Sequence, residues 1–173
     1  MQHAAFPDLE CILPPSLQTN LKKTMKNKLV AETSITIEAT AAEVWKAITT
    51  PSLVKKWLMG THVTTDWKVG SVISYEGEYD GRKYHDKGII RKIEPEKVFQ
   101  STFWSSASGK ADEPENYNLV TYTLNGAFEK TIVTLTQDNV GSEEEQEHVT
   151  GNWKAVLRKL KEVVEKQYAL AYH

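Results

Sequence analysis

The chain has 173 residues, 40% of them hydrophobic and 25% charged, which suits one domain with a substantial core. Its 21 basic and 23 acidic residues give a net charge of −2 without any run of lysine or arginine, arguing against nucleic acid or a membrane surface as partner. Cys11 is the only cysteine, so neither an intramolecular disulfide nor a cysteine zinc site can form; no segment approaches the ~18 apolar residues of a membrane span, and a cytoplasmic setting is expected.

Residues 1–24 carry Pro7, Pro14 and Pro15 with scattered leucines and no sustained period, so they read as an irregular or disordered arm before one domain at 25–173. Over residues 29–38, Ala31, Thr33, Ile35 and Ile37 alternate with Glu32, Ser34, Thr36 and Glu38, as in a half-buried strand. Thr40 and Glu43 form a capping box ahead of Val44, Trp45 and Ile48 on one helix face. Thr50 and Pro51 then start a second short helix, which Gly60 can end.

Strand patterns follow. Residues 72–79 alternate, Asp80-Gly81 signals a type I′ hairpin, and 82–93 return. Residues 98–104 make the next strand, and the polar stretch 105–116, with Gly109 and Pro114, is long enough for a mobile loop. Residues 117–124 and 128–137 form a second hairpin turning at Asn125-Gly126. Ser142 and Glu145 then cap a long helix reaching about Tyr168, with Val149, Trp153, Val156, Leu157, Leu160, Val163 and Val164 on one stripe. Gly151 inside it, costing about 1 kcal/mol relative to alanine, marks a close approach of another backbone or a ligand, or a bend of the helix, with packing the expected reason. The fold class is α+β: a curved antiparallel sheet of six to seven strands wrapped around the C-terminal helix.

This order resembles the helix-grip fold of the START-like (SRPBCC) superfamily. Within it, the chain is similar to homologues of the C-terminal domain of the activator of the ninety-kilodalton heat-shock chaperone's ATPase. The resemblance rests on residues 41–49 (AAEVWKAIT) with Pro51 and Trp57, on Val69-Gly70, and on Gly88 through Ile93-Glu94-Pro95. Trp104, residues 120–124 (VTYTL), and Trp153 with Leu157, Leu160 and Lys161 complete it, over residues 29–166. The family includes small-ligand carriers, resistance proteins, cyclase-like enzymes and chaperone partners, so a stress-response role is among those implied.

In such a fold a cavity lies between sheet and helix. The residues expected to line it are Trp45, Trp57, Ile73, Tyr75, Tyr79, Trp104, Tyr122, Trp153 and Leu157. Aromatic walls with a few hydroxyls suit a small apolar or aromatic molecule, although each ring taken singly is more readily a core filler. His62, His85, Glu76 and Asp86 are the acid–base candidates; Glu76 and His85 read as members of solvated strand faces, with Asp86 turned away from His85. No metal-ligand cluster, phosphate loop or nucleophile elbow appears, and no cofactor is implied. Non-catalytic ligand binding is the leading expectation; a chaperone-interacting module and a cyclase-like or hydrolytic enzyme are the alternatives.

Overall fold

The computed structural model describes residues 29–172, so the arm expected at 1–24 lies outside the described residues. The elements run β1 (Leu29–Ile37), α1 (Ala41–Thr49), α2 (Pro51–Trp57), β2 (His62–Thr64), β3 (Val72–Tyr79), β4 (Arg82–Glu94) and β5 (Val98–Phe103). After them come β6 (Asn118–Ala127), β7 (Lys130–Val140) and α3 (Glu143–Tyr172). All seven strands pair antiparallel in one sheet, ordered β1-β7-β6-β5-β4-β3-β2. This is the helix-grip architecture: α3 lies on the concave face and the two short helices follow the first strand.

Local chemistry explains the starts of the helices. Thr40 accepts the Glu43 N–H at 3.3 Å, and Pro51 opens α2 where its missing N–H has no partner to lose. Ser142 Oγ accepts the Glu145 N–H at 3.1 Å, and the Glu145 carboxylate reaches back to the Gly141 N–H at 2.8 Å. From α3, Val156, Leu157, Leu160 and Val164 are buried in one core with Ile37, Val133, Leu135, Val120 and Leu124 of the sheet. Three α3 side chains also bond the backbone of the first strand and its end. Gln146 Nε2 donates to Val30 O at 2.6 Å and Lys161 Nζ to Thr36 O at 2.7 Å, while Glu165 Oε1 accepts the Glu38 N–H at 2.8 Å.

The sheet curves where side chains are missing. Thr102 O lies 1.6 Å from the place a Cβ on Gly88 would occupy, so β4 can approach β5 this closely only with glycine there. Gly77 faces Tyr84 across the β3–β4 hairpin, and the tyrosine ring lies over the bare glycine to bring its hydroxyl within 2.7 Å of Thr61 Oγ1.

Several expectations change. The first hairpin turns at Asp80-Gly81 as expected, with φ of +50° and +72°. The second turns at Phe128-Glu129, because Asn125 and Gly126 pair within the ladder with Ile132 and Thr131. Gly126 serves packing: a Cβ there would sit 2.8 Å from Ala41 Cβ, so glycine lets the start of α1 rest on β6. Gly151 is the reverse case, exposed and with nothing within 4 Å of where a methyl would stand, so no packing contact explains it. Residues 105–117 are strapped down rather than loose. Asp86 Oδ1 accepts from Ser105 Oγ and from both the N–H and Oγ of Ser106, and Asn139 Nδ2 donates to the carbonyls of Glu115 and Tyr117.

Candidate functional site

Where the short helices meet the concave face, the interior is built of rings. Trp57 at the end of α2 is buried and donates its Nε1–H to Ala47 O at 3.0 Å, which fixes the indole against α1. Tyr122 projects from β6 into the centre of the group. It meets Trp57 edge-on at 6.5 Å between centroids, Phe99 at 6.2 Å and Trp153 at 6.3 Å. Trp67 tilts against Phe99 at 5.9 Å, and Tyr75 meets Phe103 edge-on at the same separation. These rings leave an apolar cavity of about 20 Å³, room for one water at most and without the polar partners a water needs.

Of the residues expected to line the cavity, the structure brings Trp57, Ile73, Tyr75 and Tyr122 to its wall. Trp153 stands behind Tyr122, with its Nε1–H on Gln137 Oε1 at 2.8 Å, and Leu157 is fully buried in the adjoining core. Trp45 packs half-buried against the core from α1, off the cavity wall. Tyr79 is 70% exposed: it pairs with Arg82 at the tip of the β3–β4 hairpin, beyond the part of the sheet that the helices cover. Trp104 also lies elsewhere. Phe99 and Ser101 are the buried positions of β5, so alternation turns Trp104 to the other face. There its Nε1–H is shared between Lys110 O at 3.2 Å and Ala111 O at 3.1 Å, with Lys87 Nζ 5.7 Å from the ring centre.

Trp67 and Phe99 are wall residues that sequence reading does not reach. The alternation around Ser101 is a signal that could find Phe99. Trp67 sits in a connection with no period to read.

The cavity's titratable groups are two phenols, and burial sets the chemistry of both. Desolvation pushes the Tyr75 hydroxyl up to about 12 against the opposing influence of Ser101, and pushes Tyr122 higher still, with the nearby Tyr75 adding to it. Both stay protonated near neutral pH, so they can donate hydrogen bonds but cannot act as bases. The acid–base candidates are all outside. Glu76 and His85 stand directly opposite each other across β3 and β4, 3.0 Å apart and each 60% exposed, a cross-strand pair that the pattern along either strand alone does not reveal. Asp86 holds the start of the 105–117 segment, and His62 is exposed on β2. Lys87 pairs with Asp112. That contact and the Tyr117 hydroxyl hold the Asp112 carboxyl below its usual range and raise the Lys87 ammonium. Among the described residues no group of three or more His, Cys, Asp or Glu is placed to hold a metal, and no helix is long and apolar enough to cross a membrane.

The family profile described as "Activator of Hsp90 ATPase homolog 1-like protein" matches residues 38–165. No curated protein matches the chain. Among solved structures, the solution structure of ChR145 from Cytophaga hutchinsonii is 39% identical with a TM-score of 0.73, over 84% of this chain and 99% of that one. The Aha1 dimer from Colwellia psychrerythraea is 21% identical with a TM-score of 0.63, covering 79% and 96%. DynU16, a protein of the dynemicin biosynthetic locus, is 21% identical with a TM-score of 0.65, over 79% of this chain and 47% of its own. The last two are likenesses of fold. The profile spans most of the chain and the first structure nearly all of the described part, and the chain belongs to the Activator of Hsp90 ATPase homolog 1-like protein family.

Proposed function

We propose that this protein binds a small, mostly apolar aromatic molecule between the concave face of the sheet and α3, in the cytoplasm and without chemistry on it. The observation that carries this reading is Tyr122. Its ring lines the cavity and meets Trp57, Phe99 and Trp153, so an aromatic guest there has rings on several sides. Ring contacts of that kind contribute about 0.5–1.5 kcal/mol each beyond the burial of area. The cavity must widen to admit a ligand. Burying roughly 200 Å² of ligand surface at ~25 cal/mol per Å² gives about 5 kcal/mol before association costs, which points to weak or moderate affinity. Membership of a family whose description names a chaperone-ATPase activator supports a second reading, docking on that chaperone.

The deciding experiment is native mass spectrometry of the protein from its own cells, followed by denaturation and identification of whatever is released. A stoichiometric aromatic compound supports the interior site. An unliganded mass, together with no response of the tyrosine and tryptophan signals to 1-naphthol, sinks it. Retention of the chaperone with stimulated ATP hydrolysis would select the docking reading instead.

A further inference from the structure

Trp67 closes the cavity from a segment that little else holds. It lies in the connection between β2 and β3, half-buried, with its ring on Phe99 and on the cavity wall beside Trp57, Tyr75 and Tyr122. Its backbone is at φ +55°, the left-handed region, which costs a side-chain-bearing L-residue roughly 1–2 kcal/mol. The N–H groups of residues 65–69 make no hydrogen bond to any described residue. The segment is tied at its far end, by Gly70 N–H to Ile90 O at 2.8 Å and Ser71 N–H to Lys68 O at 3.0 Å. Thr65 Oγ1, at the near end, is buried without a partner. A strained backbone, unpaired amides and an orphaned hydroxyl all sit where one indole holds the segment to the core. Such a segment opens at lower free energy than the sheet around it.

We infer that Trp67 is a displaceable plug, and that the ligand is a flat, uncharged, bicyclic aromatic molecule that takes the place of its indole. This rests on the interior-binding reading above. The space open to a ligand is the space the indole vacates plus the existing 20 Å³, so a ring pair of indole size fits and a larger fused system does not. Charge is disfavoured because the walls are apolar and the phenols nearest the site are neutral.

The test uses the whole chain labelled with 5-fluorotryptophan, with the Trp67 resonance assigned by its loss in Trp67→Phe, and 1-naphthol as the probe. On binding, the Trp67 line moves and gains a solvent isotope shift while the Trp57 line gains none. Trp67→Ala binds the probe roughly 10- to 1,000-fold more tightly, the factor expected when the open state is ~0.1–10% populated in the wild type. If Trp67→Ala does not fold, Trp67→Leu keeps an apolar contact with Phe99 and serves the same comparison. Binding with the Trp67 line unmoved, or with no gain in the variant, overturns the plug and leaves interior binding standing. Binding by the variant alone makes the indole a fixed core residue and overturns the plug. Binding by neither protein removes interior binding itself.

Discussion

Trp153 donates its indole N–H to Gln137 Oε1 at 2.8 Å, a bond that joins α3 to β7 through an interior with few other polar side chains. Gln137→Leu strands the part-buried N–H and is expected to lower unfolding free energy by about 1 kcal/mol. Adding Trp153→Phe removes the stranded donor, so the double variant should lose less than the sum of the singles. Denaturant unfolding of the four proteins measures this coupling; simple additivity would show that the bond does not couple helix to sheet.

Tyr122→Phe deletes a hydroxyl that bonds no described residue, so the variant should match the wild type in stability to within about 1 kcal/mol. Thermal unfolding checks this, and a clear loss of stability would mean that the hydroxyl is satisfied in solution. Alkaline titration gives a second handle. Tyr75, raised to about 12, and Tyr122 remain neutral in the folded state above the ordinary phenol value near 10. Their contribution to stability is whole below pH 10 and falls as pH rises from there, and Tyr122→Phe should make that fall shallower.

Glu165 supplies the acid counterpart. Burial pushes its carboxyl up, but the Glu38 N–H and Lys161 together outweigh that and leave it below the usual 4.5. A lowered carboxylate stabilises above its unfolded value, and the contribution is lost as pH falls toward the folded value. Unfolding free energy should therefore decline as pH drops below about 5. Glu165→Gln should flatten part of that decline while costing no more than about 1 kcal/mol at neutral pH, as suits a partly exposed pair. An unchanged acid slope in chemical denaturation would remove Glu165 from the account.

The β6–β7 turn allows substitutions of opposite effect within a few residues of each other. Phe128 is 99% exposed and held at φ +57°, a conformation asparagine tolerates better, so Phe128→Asn should stabilise by about 0.5–1 kcal/mol. Gly126→Ala drives a methyl to within 2.8 Å of Ala41 Cβ and should destabilise by roughly 1–3 kcal/mol. Paired melting curves check both signs; a Phe128→Asn variant no more stable than the wild type, with Gly126→Ala tolerated, would place the turn elsewhere in solution.

How far the sequence can be read depends on whether a residue's role is set by its neighbours along the chain. The caps at Thr40 and Ser142, the α3 stripe and the Asp80-Gly81 turn are local patterns, and each appears where its spacing places it. Gly126 resembles a turn residue because Asn-Gly usually is one; its actual constraint comes from Ala41, 85 positions earlier. Trp104 shares its parity with Val98, Gln100 and Thr102, and its face follows only once Phe99 and Ser101 are known to be the inward set. Trp67 is out of reach altogether: nothing next to it in sequence says that its ring completes a wall made by Trp57, Phe99 and Tyr122.

The contacts from Gln146, Lys161 and Glu165 to the backbone at Val30, Thr36 and Glu38 have a consequence for self-association. Among the described residues β1 is one border of the sheet and the three-residue β2 is the other, so β1 is the long border at which another strand could add. The helix blocks that recruitment with side chains spread over about five turns. A chain cut within α3 before Lys161 would lose two of the three guards along with Val164, while β1 kept its pairing with β7. Such a fragment would present an adhesive strand to its neighbours, and its characteristic failure would be edge-to-edge polymerisation into fibres, with soluble unfolding a secondary outcome.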